Sequence, residues 1–303
     1  MKTVASLVLC LIACGPSSRD SGGDDEPGGP DASVTSEPRH CNKMDLVFVI
    51  DDSGSMSEEQ GNLATNFPQF AQLLSNYVTP DGEKIDYRIA VTTTGRDLMY
   101  TVASGPLTIP QNEDGDNGAF RNTCGSTKRY IEHTDANMQQ TLACRANVGT
   151  GGPSYEMPLL MTKWALSDRV ADGTNAGFLR ADALLGVVMM TDEDDSSTAQ
   201  NNFMVSISSQ PPVDFQPANL VQFLDSLKGN RTRWAAGVIA GPTDCTSSFG
   251  KAAKATRLQD FVTQANANGT VQASFSSICD GNLTAALQKT LDTFQTACGV
   301  VLF

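Results

Sequence analysis

Asp51, Ser53 and Ser55 stand at alternate positions in the stretch DLVFVIDDSGSM, residues 45–56. One carboxylate and two hydroxyls in so short a span are oxygen donors of low net charge, a set that suits a hard divalent cation such as Mg2+ or Mn2+. The residues before them say where they sit. Leu46 to Asp51 leave no polar face for solvent, so the run reads as a strand buried on both sides in a parallel sheet. The hydroxyls then fall at the carboxyl end of that strand, where open α/β sheets bind their ligands. A second apolar run, Leu184 to Met190, ends in Thr191, Asp192, Glu193, Asp194 and Asp195. A second carboxylate thus arrives at a second strand end.

Other readings compete for these residues. Ser and Asp are common helix caps, so the loop is also a polar turn opening the next helix. Phosphatases of the haloacid dehalogenase type place an Asp nucleophile after an apolar strand, but they need a carboxylate two residues on, where this chain has Ser53. A serine hydrolase needs a G-x-S-x-G elbow and an imidazole base; the elbow is absent, and the histidines are His40 and His133.

The two strand ends together resemble the von Willebrand factor type A domain, whose D-x-S-x-S loop, a distant Thr and a distant Asp build the metal-ion-dependent adhesion site. The resemblance covers roughly residues 41 to 298. It implies that Ser53 and Ser55 bind the ion through their hydroxyls, while Asp51 and Asp192 hold it through water or hydrogen bonds. The remaining ligand, a Thr in a Gly-rich loop, falls on Thr150 in VGTGGPSYE, with Ser154 as its rival because the family's T-x-T-G spacing is absent. It implies a doubly wound, mainly parallel sheet flanked by helices. It also implies a protein or glycan partner offering a carboxylate to an Mg2+ or Mn2+ ion, with Ca2+ as a possible substitute. No catalysis is implied. An envelope scaffold with a stabilising metal is the alternative, and a metal-dependent hydrolase ranks third.

The ends and charges fit an exported protein. Residues 1–13 carry Lys2 and then an apolar segment too short to span a bilayer, the form of a secretory signal. Leu11-Ile12-Ala13-Cys14 resembles the bacterial lipobox, which would make Cys14 the lipid acceptor and Gly15 the mark of an outer-membrane address. With TDEDDSS and the GTGGPSYE loop, this looks like the bacterial surface lipoproteins that carry the domain. Residues 14–40 hold too little apolar surface to offset the entropy of ordering and read as a disordered tether. The formal net charge of -13 argues against nucleic acid and against direct contact with an anionic membrane, leaving a lipid anchor as the membrane link.

Apart from Cys10 and Cys14, the cysteines number six, and an even number in an exported chain points to disulfides. Many pairings are open. Cys41 with Cys298 would join the domain's two ends, as in some family members; Cys124 with Cys144 and Cys245 with Cys279 would close local loops where the chain has least core.

Along the domain, residues 41–303, Leu63, Phe67, Phe70, Leu74 and Tyr77 keep a helical period that Pro68 should kink or divide. Tyr87 to Thr94 reads as a strand. From about 95 to 147 periodicity fails, which marks a long loop insertion. Within it Asn112, Asp114 and Asp116 imitate a calcium loop but lack its Gly and Glu. Met157 to Val170 reads as a helix opened by Pro158. Glu156 reads as a cap of that helix with a ligand role as the rival, and Asp194 and Asp195 as a solvated loop with a second cation site as the rival. A helix at Ala218–Leu227, a strand at Trp234–Ala240, a helix near Thr256–Ala267, a strand at Val271–Phe275 and a last helix through Leu283, Leu287, Leu291 and Phe294 complete an α/β alternation. Gly299 to Phe303 reads as the start of a further strand.

Overall fold

The computed structural model describes residues 41–303 except positions 80, 81, 208, 249, 282 and 302. The signal segment 1–13, the lipid acceptor Cys14 and the tether 14–40 lie outside the described residues.

Because the apolar run after Asp45 offers both faces to a core, strand β1 (Lys43–Ile50) takes the middle of a sheet, paired in parallel with β2 (Asp86–Thr93) on one side. Its alternate side chains separate two cores: Leu46, Phe48 and Ile50 face one, Val47 and Val49 the other. Helix α1 (Ser57–Asn76) covers the first of these with Leu63, Phe67, Phe70 and Leu74. It runs through Pro68 without dividing. Pro68 is only partly buried, and Phe67 and Phe70 beside it hold the helix against Phe48 at ring distances of 5.1 and 5.3 Å.

The insertion contains regular structure that the sequence did not announce. Strands β3 (Leu98–Ser104) and β4 (Leu107–Glu113) form an antiparallel hairpin, followed by the short β5 (Ile131–Glu132) and helix α2 (Met138–Ala146). The expected helix after Pro158 is two pieces, α3 (Pro158–Leu166) and α4 (Asp168–Ala171), broken at Ser167. Strand β6 (Leu184–Met190) pairs with the other side of β1. Next, β7 (Phe203–Ser206) joins the β3 edge, so that β4, β3 and β7 make a small second sheet.

The chain then continues through α5 (Pro217–Lys228), β8 (Trp234–Ala240), the hairpin β9 (Cys245–Ser247) and β10 (Gly250–Ala252), α6 (Thr256–Ala265), β11 (Ala273–Ser277) and α7 (Leu283–Val300). Gly299 and Val300 are helical, not the start of a strand; Val301 still donates to the Ala297 carbonyl, extending the helical pattern past the disulfide at Cys298. The main sheet has the order β11-β8-β6-β1-β2-β5, parallel except for β5. Helices α1, α2 and α7 pack on one core and α3, α5 and α6 on the other. Helix α7 approaches closely because Gly186 and Gly237 carry no side chain: a Cβ there would stand 2.9 Å from Phe294 and 2.3 Å from Thr290.

The cysteines pair as Cys41–Cys298, Cys124–Cys144 and Cys245–Cys279. From β1 the chain moves to β2 on one side, and later to β6 on the other. The carboxyl ends of β1 and β6 therefore flank the point where the strand order diverges, the place in such sheets where a crevice opens.

Candidate metal centre

The loop after β1 is tied down by its own carboxylate. Asp51, fully buried, accepts the Ser53 amide through Oδ1 at 2.8 Å and the Thr191 hydroxyl through Oδ2 at 2.7 Å, and its carbonyl accepts Gln60 Nε2 at 3.0 Å. One side chain thus folds the DDSGS turn and joins it to the end of β6. Burial raises the Asp51 carboxyl above its ordinary range, and the Ser53 and Thr191 bonds oppose the rise.

The turn places three side-chain oxygens in a row. Ser53 Oγ and Ser55 Oγ are 2.9 Å apart, and Ser55 Oγ donates to Asp192 Oδ1 at 3.1 Å. Oxygens bound at 2.0–2.1 Å in adjacent positions of an octahedron stand about 3 Å apart, so the row already has the spacing of neighbouring Mg2+ ligands. Ser53 and Asp192 are buried and Ser55 is exposed, which leaves the row open on one side. Asp192 is pushed up to about 8, first by burial and then by the charge of Asp51. A cation would relieve both causes.

Among the described residues no three His, Cys, Asp or Glu side chains gather into a metal-ligating group. The donor set is instead hydroxyl-rich, with Asp51 and Asp192 braced by hydrogen bonds, and it fits a small hard cation better than a soft one. The Gly-rich loop does lie alongside: Gly152 donates to the Asp52 carbonyl at 2.7 Å, and the Thr150 carbonyl oxygen comes within 4.0 Å of the Cβ position of Gly54. Thr150 is exposed, and among the described residues no hydrogen bond joins its hydroxyl to the row. Ser154 is turned away, donating its amide and its hydroxyl to Glu113 of β4 at 3.1 and 2.8 Å.

Two further carboxylates stand beside this centre: Glu156, read from the sequence as a cap of α3 with a ligand role as the rival, although the cap position falls on Met157 without a side-chain bond, and Glu59, which the sequence did not single out. Glu156, 1% exposed, leaves Oε2 without a hydrogen-bond partner, and burial with the charges of Asp51 and Glu193 drives its carboxyl well up. Glu59 is also buried with Oε2 unpartnered, and its charge reaches Asp51 and Asp192. Glu59 lies one helical turn after Ser55, a spacing that puts both on one face; Glu156 has no comparable signal. Asp194 and Asp195 do not form a solvated loop; their carboxylates are bound within the fold. Asp194 accepts the Arg257 and Leu258 amides at the start of α6, and Asp195 accepts the Leu159 amide at the start of α3 and pairs with Arg257. The calcium-loop residues also part company: Asn112 pairs with Met99 in the hairpin, while Asp116 turns toward Arg121. His133 sits by Asp86, at the amino end of β2.

No family model and no curated protein matches the chain. Among solved structures it is similar to proximal thread matrix protein 1 from the mussel byssus, at 11% identity and a TM-score of 0.42 over 85% of this chain and 49% of that one. It is also similar to the pilus adhesin SpaC from Lactobacillus rhamnosus GG, at 11% identity and 0.43 over 85% and 31% of the two chains. Manganese-loaded TRAP protein from Plasmodium vivax follows at 12% and 0.39, over 84% and 76%. The chain spans about half the length of the byssus protein and about a third of the adhesin. Likenesses this slight carry no part of the reasoning below.

Proposed function

We propose that the protein binds a protein or glycan ligand through a divalent cation, Mg2+ or Mn2+ with Ca2+ as a poorer substitute. Ser53 and Ser55 would hold the ion, with Asp51 and Asp192 behind them and the Thr150 loop alongside, on a doubly wound sheet of the von Willebrand A type. The observation that carries this reading is the row Ser53–Ser55–Asp192, whose oxygens are spaced like adjacent ligands at the diverging ends of β1 and β6. The bound cation would supply an open position that a ligand carboxylate completes. The chain's own part is to keep the row rigid: Asp51 fixes the Ser53 amide and Thr191, and Gln60 fixes the Asp51 carbonyl. Neither this role nor the residues around the row call for an enzyme. In the same reading the chain is exported and anchored through lipid on Cys14 to the envelope, at the outer membrane.

The test compares capture from envelope extracts by the wild type and by Asp51→Ala/Ser53→Ala, each in Mg2+ and in chelator. Partners held by the wild type in Mg2+ and lost in the other three conditions are the expected result. A partner captured equally in all four would make the metal structural and the protein an envelope scaffold.

A further inference from the structure

The small sheet β4-β3-β7 has an apolar face that is only half covered. Tyr100 and Val102 of β3 stand opposite Gln111 and Ile109 of β4, and opposite Phe203 and Val205 of β7, so these side chains share one face. At the base of the sheet that face is core: Leu98, Tyr100 and Val205 are buried, with Val102 and Phe203 packed against them. Toward the tip, Leu107 stands opposite Ser104, and Ile207 continues the line of β7 with its amide held by the Ala103 carbonyl at 3.2 Å. There Leu107, Ile109 and Ile207 are 64%, 47% and 62% exposed. The apolar face runs out of the core into solvent.

Charge sets the same region apart. The chain has 34 acidic and 21 basic residues and a formal net charge of -13, yet none of them falls between Leu98 and Asn112 or between Ala199 and Val213. The acids at the ends of these stretches, Asp97, Glu113 and Asp214, are bound around the base of the sheet by Gly115, Ser154 and Ala199. From Glu113, opposite Leu98, to Leu107 is roughly 20 Å of strand, more than twice the screening length of about 8 Å at physiological ionic strength. The open edge is β4, and Pro110, exposed in its middle, has no amide to donate, which disfavours the addition of a further strand. What covers the tip must therefore pack on its side chains.

We propose that a second copy of the chain docks on this tip, with Leu107, Ile109 and Ile207 of each packed on the same three of the other about a two-fold axis. A two-fold contact has to be self-complementary, and an apolar, uncharged face meets that condition. Elsewhere two copies of net charge -13 set acid against acid and repel. The two small sheets would stack face to face, about 10 Å apart. So small a patch stands at the low end of specific interfaces, and the dimer is a weak, reversible one. The inference does not rest on the function proposed above.

Sedimentation velocity of the full chain, from micromolar to several hundred micromolar and at low and high salt, tests it. The wild type should pass from monomer to dimer with concentration, and more readily at high salt, which screens the repulsion between the acidic bodies. Leu107→Glu and Ile207→Glu, both at exposed positions, should each weaken dimerisation about tenfold or more. Met204→Glu adds the same charge on the opposite face, beside Thr101, and should change it little. A wild type that stays monomeric throughout overturns the proposal, and so do variants that all associate like the wild type, since the contact then lies elsewhere, the amino-terminal residues included. Dimers that loosen at high salt would be held by charge, and a loss in Met204→Glu equal to that in Leu107→Glu would come from added charge alone; either result overturns it as well.

Discussion

At the scale of single residues, the hydroxyl row makes two predictions. Metal that binds only the folded protein stabilises it by about 2.7 kcal/mol at a hundredfold excess over Kd, roughly 5–10 °C in melting temperature for a domain of this size. Mg2+ should raise the wild-type midpoint by that amount and leave Asp51→Ala/Ser53→Ala unmoved; a double mutant that responds like the wild type would refute the assignment. The second prediction concerns pH. Asp52 and Asp192 have folded pKa values of about 7 and about 8, above the ordinary 3.8. Groups raised on folding bind protons more tightly in the native state, so their stabilising contribution is full below about 4 and is lost as pH rises through 7 to 8. Without metal, the melting temperature should fall between pH 5 and 9. Mg2+ should oppose that fall and bind more tightly at the higher pH, releasing protons as it does so. Melting curves at pH 5, 7 and 9 with chelator and with Mg2+ check both signs; a metal-free midpoint that climbs toward pH 9 contradicts them.

At the scale of elements, the site depends on how closely the Gly-rich loop approaches the turn after β1. A Cβ on Gly152 would strike the buried Asp52 carboxylate at 2.2 Å, whereas one on Gly151 meets nothing within 4 Å. Gly152→Ala should therefore cost about 1–3 kcal/mol by overpacking and Gly151→Ala almost nothing, a contrast that urea unfolding resolves; equal effects would show that the loop gives way freely. The elements nearest this contact were also the most legible. Strands β1 and β6 are buried on both faces, so nothing polar interrupts their sequence and each ends visibly at the first carboxylate or hydroxyl. The β3–β4 hairpin was not legible because β4 is exposed along most of its length, with Pro110 and a run of polar residues, so no alternation marks it. Pro68 does not divide α1 although it lies inside the helix, with Phe67 and Phe70 packed on Phe48 beside it; that tertiary hold is something a local rule about proline does not contain. The pattern singled out Asp51, Ser53, Ser55 and Asp192, which the structure brings into one hydrogen-bonded group, whereas the nearness of buried Glu156 to Asp51 depends on the path of the folded chain.

At the scale of the whole molecule, the bond Cys41–Cys298 joins the residues just before the central strand to the last helix, across a separation of 257 residues. Helix α7 closes one core with Leu287, Leu291 and Phe294, so its attachment bears on the stability of that entire face. In the chain-entropy account a loop of this length stabilises by about 5.5 kcal/mol, against about 3.3 kcal/mol for the separation of 20 in Cys124–Cys144. Cys41→Ser/Cys298→Ser should thus lose more stability than Cys124→Ser/Cys144→Ser in urea unfolding. The reverse order would place the effect in the native packing or in residual structure of the unfolded chain. The two functions of the fold should separate in the same experiment. Cys41 lies beyond the amino end of β1 and the hydroxyl row at its carboxyl end, a strand length of roughly 26 Å away. The variant lacking the long bridge should start from a lower melting temperature yet keep the full Mg2+-induced rise, because the turn that holds Ser53 and Ser55 is fixed by Asp51, Thr191 and Gln60 and not by the terminal helix.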